Sequence, residues 1–414
     1  MNTKRHLILM IIPHYGHGGA QRVFAQLVNF FSSKYHVVEV SFDNDFDDKY
    51  SSNGEKVCLH VPAGTNLWMK AFRFLQRCFK LSILKLRYRP KFTISHLEGA
   101  NFVNALSFGS GKRILCIHGS RTAMDSNRKG AVKLIENRIF TPLLYNIRAN
   151  KIVCVSKGIY FEMINYFGVR KSLLTVITNG IPLHKIQQYS SEPVPYSLSK
   201  IFEKDVMVFC GRLVPQKNPL ALLDIVYESG KILDFNVLII GDGPLLNDMK
   251  HRCDDLNIPY SVANGNQEVD ENARIFFAGF QENPFNLMKH SAIFVSTSDF
   301  EGYPLVLCEA FACGLPVVAT DCPTGVREIL DDDATGSEQI EEPYLANYGI
   351  LMPLVSQGIP HYSSVIKGWS ETLIQLLRDE DQRRKYSHSV LERAKLLDEQ
   401  FFLGEWDQVL NAFQ

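Results

Sequence analysis

DFEGYPLVLCEAFACGLPVVATDCPTGVREIL, residues 299–330, is the stretch from which the fold is read. The run AIFVSTS before it ends at Ser298 and predicts a strand. Gly302 and Pro304 mark a turn. Leu305 to Cys313 has helical spacing with Pro304 at the first position, where a missing N–H costs nothing. PVVAT then predicts a second strand. Strand, turn, helix and strand in one block predict a helix N-terminus at the mouth of a parallel sheet.

The same block suggests its chemistry. A helix N-terminus leaves the N–H groups of Leu305 and Val306 unpaired and positively biased, which suits a diphosphate lying across the helix end. Glu301 precedes the turn and Glu309 lies one turn inside the helix. A carboxylate accepts two vicinal hydroxyls well, so one glutamate suits a sugar ring and the other a ribose. Taken singly, each glutamate also reads as a solvated surface charge. Their setting in the block favours a nucleotide-sugar clamp.

Outward from this block, short β-branched runs alternate with helical periodicity, as parallel α/β sheets require. LILMII, HVVEVSF, FTISHL, RILCIH, KIVCVS and LLTVIT predict strands in the first half; VMVFCGR, FNVLIIG, RIFFAG, AIFVSTS and PVVAT do so in the second. At 414 residues the chain divides naturally into two domains of about 200 residues. Pro182 to Ser199 holds three prolines and four serines without a clear apolar period and predicts a linker. The expected layout is residues 1–181, a linker at 182–199, residues 200–394, and a terminal helix over 395–414. Open sheets bind ligands at the carboxyl ends of their strands, so the active cleft is expected between the two domains.

The formal charge is zero, which removes the basic excess expected of a nucleic-acid binder. Nine cysteines, an odd number with no C-x-x-C pair, fit reduced core thiols in the cytoplasm better than disulfides or zinc. Lys4, Arg5 and HLILMII imitate a secretion signal, but Pro13, His14 and Tyr15 replace a cleavage site, so a first strand is expected. No run of about 18 apolar residues predicts a transmembrane helix.

Further motifs sit at strand ends. Gly16, His17, Gly18 and Gly19 follow the first strand and open a helix near Ala20. This glycine loop fits a phosphate or a plain strand-to-helix turn. Gln21 takes the place of the sixth-position glycine of a dinucleotide fingerprint, which disfavours a nicotinamide site. Arg212 and Lys217 follow VMVFCGR, with no acidic residue near them in that loop, and can neutralise a diphosphate. Gly241 to Pro244 and FQENP from Phe280 form turns at two more strand ends. His118 follows RILCIH as a polar step after an apolar run.

The block at 299–330 closely resembles the signature of the family 4 retaining glycosyltransferases, with GRLVPQKNP (Gly211 to Pro219), NVLIIGDGP (Asn236 to Pro244), VCVSKGI (Val153 to Ile159), ITNGI (Ile177 to Ile181) and PHYGHGGAQR in the family's order. The resemblance implies the GT-B fold: α/β, two Rossmann-like, doubly wound parallel-sheet domains facing an interdomain cleft, an N-terminal acceptor domain and a C-terminal donor domain, with the last helix crossing back to the first. It implies transfer of a hexose or N-acetylhexosamine from a nucleoside-diphosphate sugar, with uridine as the prior base, to a glycan or polyprenyl-diphosphate-linked glycan in surface polysaccharide synthesis. It assigns catalysis to His118, Glu301, Arg212 and Lys217. Donor binding falls to Gly16, Gly18, Gly19, Arg212, Lys217, Gly241, Phe280, Glu301, Gly302, Tyr303, Leu305, Val306 and Glu309. No cofactor beyond the nucleotide sugar is implied. A nucleotide-sugar epimerase or hydrolase, or an inactive binding subunit, are the alternatives on this fold.

Asp45, Phe46 and Asp47 form a nominal D-x-D, but after the second strand and away from the expected phosphate site it reads as a solvated loop, so no metal is expected. Charge is segregated: residues 66–151 hold 17 Lys and Arg against Glu98, Asp125 and Glu136. Within them, residues 68–91 mix aromatic and basic residues as either a packed amphipathic helix or an anionic membrane contact does. Joined to the family fold, this predicts a cytoplasmic protein docked peripherally on the inner face of the membrane.

Overall fold

The computed structural model describes residues 5–16, 18–43, 50–124, 136–263, 269–332, 339–356 and 361–413. The chain forms two compact units, one of residues 1–179 with 403–414 and one of residues 180–402.

The first unit is built on a seven-stranded sheet of order β3-β2-β1-β4-β5-β6-β7. Its strands are β1 (Leu7–Ile12), β2 (His36–Ser41), β3 (Glu55–Cys58), β4 (Phe92–His96), β5 (Lys112–Ile117), β6 (Lys151–Cys154) and β7 (Leu174–Val176). All pairs are parallel. LILMII and FTISH are buried along almost their whole length because helices cover both faces of such a sheet. Helix Gly19–Ser32 turns Val23, Phe24, Leu27, Val28 and Phe31 into the core. From β1 the chain builds outward through β2 and β3, then crosses to the other side of β1 for β4. The carboxyl ends of β1 and β4 therefore diverge at a switch point, where sheets of this kind bind ligands.

The second unit holds β8 (Val206–Cys210), β9 (Asn236–Ile240), β10 (Tyr260–Val262), β11 (Ile275–Gly279), β12 (Ile293–Ser296), β13 (Val317–Thr320), β14 (Tyr344–Ala346) and β15 (Gly349–Met352). Their order is β10-β11-β9-β8-β12-β13-β15-β14, and only β14 and β15 pair antiparallel. The switch point here lies between β8 and β12, which pair through Ile293 with Met207 and Phe294 with Val208. Phe209, Ile225, Phe235, Val237, Trp369 and Leu373 share one core, and the buried Trp369 indole donates to the Pro353 carbonyl at 3.0 Å.

Residues 182–199 are not the open linker that their prolines and serines predict. They form helices Leu183–Ser190 and Tyr196–Ser199 and belong to the second unit. Ile186 and Leu198 are buried, and the Asn283 and Asn286 amides donate to the carbonyls of Tyr189 and Pro193, each at 2.9 Å. Their apolar period is hidden because one of the first helix's two buried positions is a serine, Ser190.

The helix predicted over 395–414 corresponds to Glu399–Asn411, and its first two residues end the preceding helix, Glu380–Leu396. From Leu403 onward the chain belongs to the first unit. There the buried Trp406 meets Phe31 edge-on at 6.3 Å between ring centroids, Phe413 packs on Phe92 at 6.1 Å, and Lys34 pairs with Asp407 at 2.9 Å. Replacing Trp406 by Ala is expected to cost the first unit about 3–5 kcal/mol, read as a lower urea midpoint for that unit; an unchanged midpoint would show that residues 403–414 are not part of its core.

Candidate functional site

In the second unit the loops after β8, β9 and β12 are tied to one another by backbone geometry. The Gly211 N–H donates to the Ile240 carbonyl, Leu213 to Asp242, and Leu245 to Leu213. Gly241 has φ +132°, and a Cβ there would drive into the Gly211 carbonyl, so the close approach of these two strand ends needs glycine. The Asp242 carboxylate accepts the Gly243 N–H at 2.7 Å and shapes the turn.

The loop after β8 closes with a short 3-10 turn, Pro215–Lys217, and with Asn218 in the left-handed region. The Asn218 amide donates to Asp299 at 3.1 Å, the Gln216 amide donates to the Phe300 carbonyl at 2.9 Å, and the Thr297 hydroxyl donates to the carbonyls of Lys217 and Asn218. These bonds carry Lys217 across the switch point to Glu301, with Nζ to Oε1 at 2.5 Å. The two side chains are only 17% and 7% exposed. The sequence shows no acid beside Lys217 within its loop; the partner comes from another strand end. Arg212 stands exposed on the same loop.

Helix Leu305–Ala312 follows a buried turn of Gly302, Tyr303 and Pro304. Pro304 is its N-cap and Cys313 its C-cap, so the helix is one residue shorter at each end than predicted. The turn is braced from behind: the Thr324 hydroxyl donates to the Glu301 carbonyl, and Gly325, at φ +75°, lies where a Cβ would collide with the Gly302 carbonyl. The N–H groups of Leu305 and Val306 begin the helix without intrahelical acceptors. Glu309 is buried one turn further on. Burial, with the Glu309 charge second, pushes the thiols of Cys210 and Cys308 up to about 12. Phe280 stands exposed after β11. The second unit thus brings together Lys217, Glu301, Gly302, Tyr303 and the helix N-terminus at one switch point.

In the first unit, the loop after β1 holds a buried Gly16, while Gly18 caps helix Gly19–Ser32 and Gly19 is its exposed first residue. His17 and the Asp45–Asp47 motif lie outside the described residues. His118 follows β5 and is partly buried. Its Nε2 is 2.9 Å from Nδ1 of His96, the last residue of β4, whose own Nε2 is 3.7 Å from the Cys116 sulfur. Burial lowers His118 to about 4; burial and the His118 ring hold His96 well below its usual value. Both are neutral at pH 7. The sequence reading treats FTISHL only as a strand and misses His96; a histidine closing the strand beside the switch point is the signal that marks it. Among the described residues no group of three His, Cys, Asp or Glu side chains is placed to hold a metal ion.

Two family models match the chain, Glycosyltransferase Family 4 over residues 17–185 and Glycosyl transferases group 1 over residues 204–346. The chain is similar to an uncharacterized glycosyltransferase of Methanocaldococcus jannaschii, 28% identical, with 90% of this chain and 94% of that protein covered. It is also similar to the N-acetylgalactosamine-N,N'-diacetylbacillosaminyl-diphospho-undecaprenol 4-alpha-N-acetylgalactosaminyltransferase of Campylobacter jejuni, 26% identical over 94% of this chain and 95% of that one. Among solved structures, Anabaena HepE in complex with UDP and glucose superimposes with a TM-score of 0.71 at 15% identity, covering 98% of this chain and 100% of that one. The fold is therefore of the GT-B class.

Replacing Lys217 by Met leaves the Glu301 carboxylate buried and unpaired, and is expected to cost about 3 kcal/mol. Adding Glu301→Gln should recover part of that loss. A double-mutant cycle from urea unfolding of the second unit measures it, and strictly additive losses would show that the pair is not coupled.

Proposed function

We propose that this chain, which belongs to the group 1, family 4 glycosyltransferases, moves a hexose or N-acetylhexosamine from a UDP-sugar to a polyprenyl-diphosphate-linked glycan, with retention of configuration. The observation that carries this reading is the Lys217–Glu301 pair beside the N-terminus of helix Leu305–Ala312. UDP is supported by the complex of the Anabaena neighbour, and the lipid-linked acceptor by the name of the Campylobacter relative.

As the glycosidic bond breaks, negative charge gathers on the departing diphosphate. The N–H groups of Leu305 and Val306, the Arg212 guanidinium and the Lys217 ammonium are fixed positive groups that stabilise that charge most when it is fully developed. Glu301 accepts sugar hydroxyls, its buried carboxylate faced by the Lys217 ammonium. Glu309 accepts the ribose hydroxyls. Glu301 is tied to an ammonium and is not offered as a nucleophile, so the departing phosphate takes the acceptor proton on the face it leaves. Positive side chains and the helix end take the part a divalent ion plays elsewhere, and transfer is expected to survive EDTA.

Calorimetry with UDP, GDP, ADP and their sugars, without metal, tests the donor site. A UDP-sugar is expected to bind best, and Arg212→Ala to lower its turnover about a hundredfold. Binding of no nucleotide would overturn the assignment.

Docking to an anionic membrane is supported by helix Leu67–Tyr88. Its inner face packs Phe74, Cys78, Leu81 and Leu84 against the first unit. Its outer face leaves Leu67 81% and Trp68 87% exposed, along with Phe72, Leu75, Phe79 and Leu86, more apolar surface than water-facing helices carry. Lys70 and Arg87 lie among them, and exposed Phe108 adjoins the helix through its N–H to the Ser82 hydroxyl at 2.9 Å. No helix among the described residues is long and apolar enough to cross a membrane. The inner face of the cytoplasmic membrane is the proposed location. Vesicles containing phosphatidylglycerol should retain the protein in sedimentation where phosphatidylcholine vesicles do not, and Trp68→Glu with Phe79→Glu should abolish retention. Equal retention on both lipids would count against docking.

A further inference from the structure

His96 comes from the sheet rather than from any loop. It ends β4 at the switch point of the first unit, fully buried, and its ring is closed in by Phe24, edge-on at 5.4 Å, and by Trp406, stacked at 6.4 Å. Full burial between these rings keeps the imidazole away from solvent partners. Among the described residues its two nitrogens have one hydrogen-bonding neighbour each: His118 Nε2 at 2.9 Å from Nδ1, and the Cys116 sulfur at 3.7 Å from Nε2. The first distance is a direct hydrogen bond, too short for an ion or water between the rings.

The direction of that bond follows from the partners. A neutral imidazole has one N–H and one bare nitrogen. If the hydrogen sat on Nε2 of His96, it would point at a thiol sulfur, a weak acceptor, inside the core. With the hydrogen on Nδ1, the bare Nε2 accepts the Cys116 S–H, and Nδ1–H donates to a strong acceptor, Nε2 of His118. Burial keeps the Cys116 thiol protonated, since it pushes its titration well above the usual range. All three groups are then satisfied in one order, Cys116 to His96 to His118.

Resting on the assignment of His118 to the reaction, we propose that His96 is a positioning residue for sugar transfer: its Nδ1–H occupies Nε2 of His118 and fixes His118 as the tautomer that carries hydrogen on Nδ1. His118 then faces substrate as a neutral hydrogen-bond donor with its orientation set from behind. The partner of one ring nitrogen decides what the other can do. A donor of this kind steadies a sugar oxygen or developing charge without giving up its proton, which suits a reaction in which the departing phosphate takes the acceptor proton.

Ring-nitrogen NMR of the full chain labelled with 15N-histidine tests this, the His118 signals being identified by their loss in His118→Gln. His118 is expected to show hydrogen on Nδ1. In His96→Phe the signal should move toward the Nε2–H form, and kcat for UDP release from the best-bound UDP-sugar, with a polyprenyl-diphosphate-linked N-acetylhexosamine as acceptor, should fall on the order of tenfold with little change in KM. His96→Asn places an amide N–H where Nδ1–H stood and should restore both readouts. Hydrogen on Nε2 of His118 in the unaltered protein, or an unchanged kcat in His96→Phe, would overturn the proposal. Full activity in His118→Ala would instead overturn the catalytic role of His118, and the proposal with it; the tautomer is read without turnover, so the two failures are told apart.

Discussion

A carboxylate almost removed from water must be protonated, hydrogen-bonded or faced by a cation. Glu301 is faced by Lys217 from 84 residues away, and most of the second unit's loop geometry follows from making that meeting possible. β8 and β12 must be parallel neighbours for their carboxyl ends to sit side by side. Asn218 must take a left-handed conformation to turn the loop, and Thr297 must donate to the carbonyls of Lys217 and Asn218. The Gly302 carbonyl in turn needs Gly325 behind it, where any side chain would push the turn outward. The pair is thus less an added interaction than the point at which the loops after β8, β12 and β13 meet.

This also explains why the motif spacing of the sequence was informative about chemistry but incomplete about electrostatics. Glu301, Glu309 and the helix start lie within one continuous run, so their relation is local and the 3.6-residue period reveals it. Lys217 is local to a different strand. Only sheet order brings it to Glu301, and sheet order is not written in any one segment. His96 was missed for the same reason: its partners Cys116 and His118 are on the neighbouring strand β5 and just beyond it, and in its own segment it is only the last of three polar residues in a buried strand.

The strands that were legible are those buried on both faces, such as β1, β4, β9 and β12, because burial forces continuous apolar runs. The strands that were not are at or near sheet edges. β3 reads EKVC and is half exposed, β10 has three partly exposed residues, and β14 lies at the other edge; β15 beside it is fully buried, but its GILM run is only four residues long. An edge strand needs only backbone partners, so its side chains carry little signal. The segment at 182–199 was misread in the opposite sense: prolines and serines suggested a free linker, yet buried Ile186 and Leu198 and two asparagine amides are enough to fasten it.

The first unit shows a parallel economy in its polar core. Lys85 lies on the buried side of helix Leu67–Tyr88, and its Nζ donates to both the side-chain and backbone oxygens of Asn104, at 2.8 and 3.0 Å. Burial, with Arg113 and Arg148 adding to it, lowers this amine to about 6. Near pH 7 it is largely neutral, and burying it does not require an opposite charge. Because the unfolded chain keeps this amine protonated up to about 10.4, the contact gains stability as pH rises from about 6 toward that value and loses it as pH falls through 6. The helix is therefore held by apolar packing, by the Lys85 amine and by Arg77 and Lys80, which donate to the carbonyls of Val61 and Leu59, while Trp68, Phe72 and Phe79 remain outside. A helix that buries one apolar face and still exposes another has more apolar surface than its own unit covers, which is the physical reason a lipid interface is proposed for it.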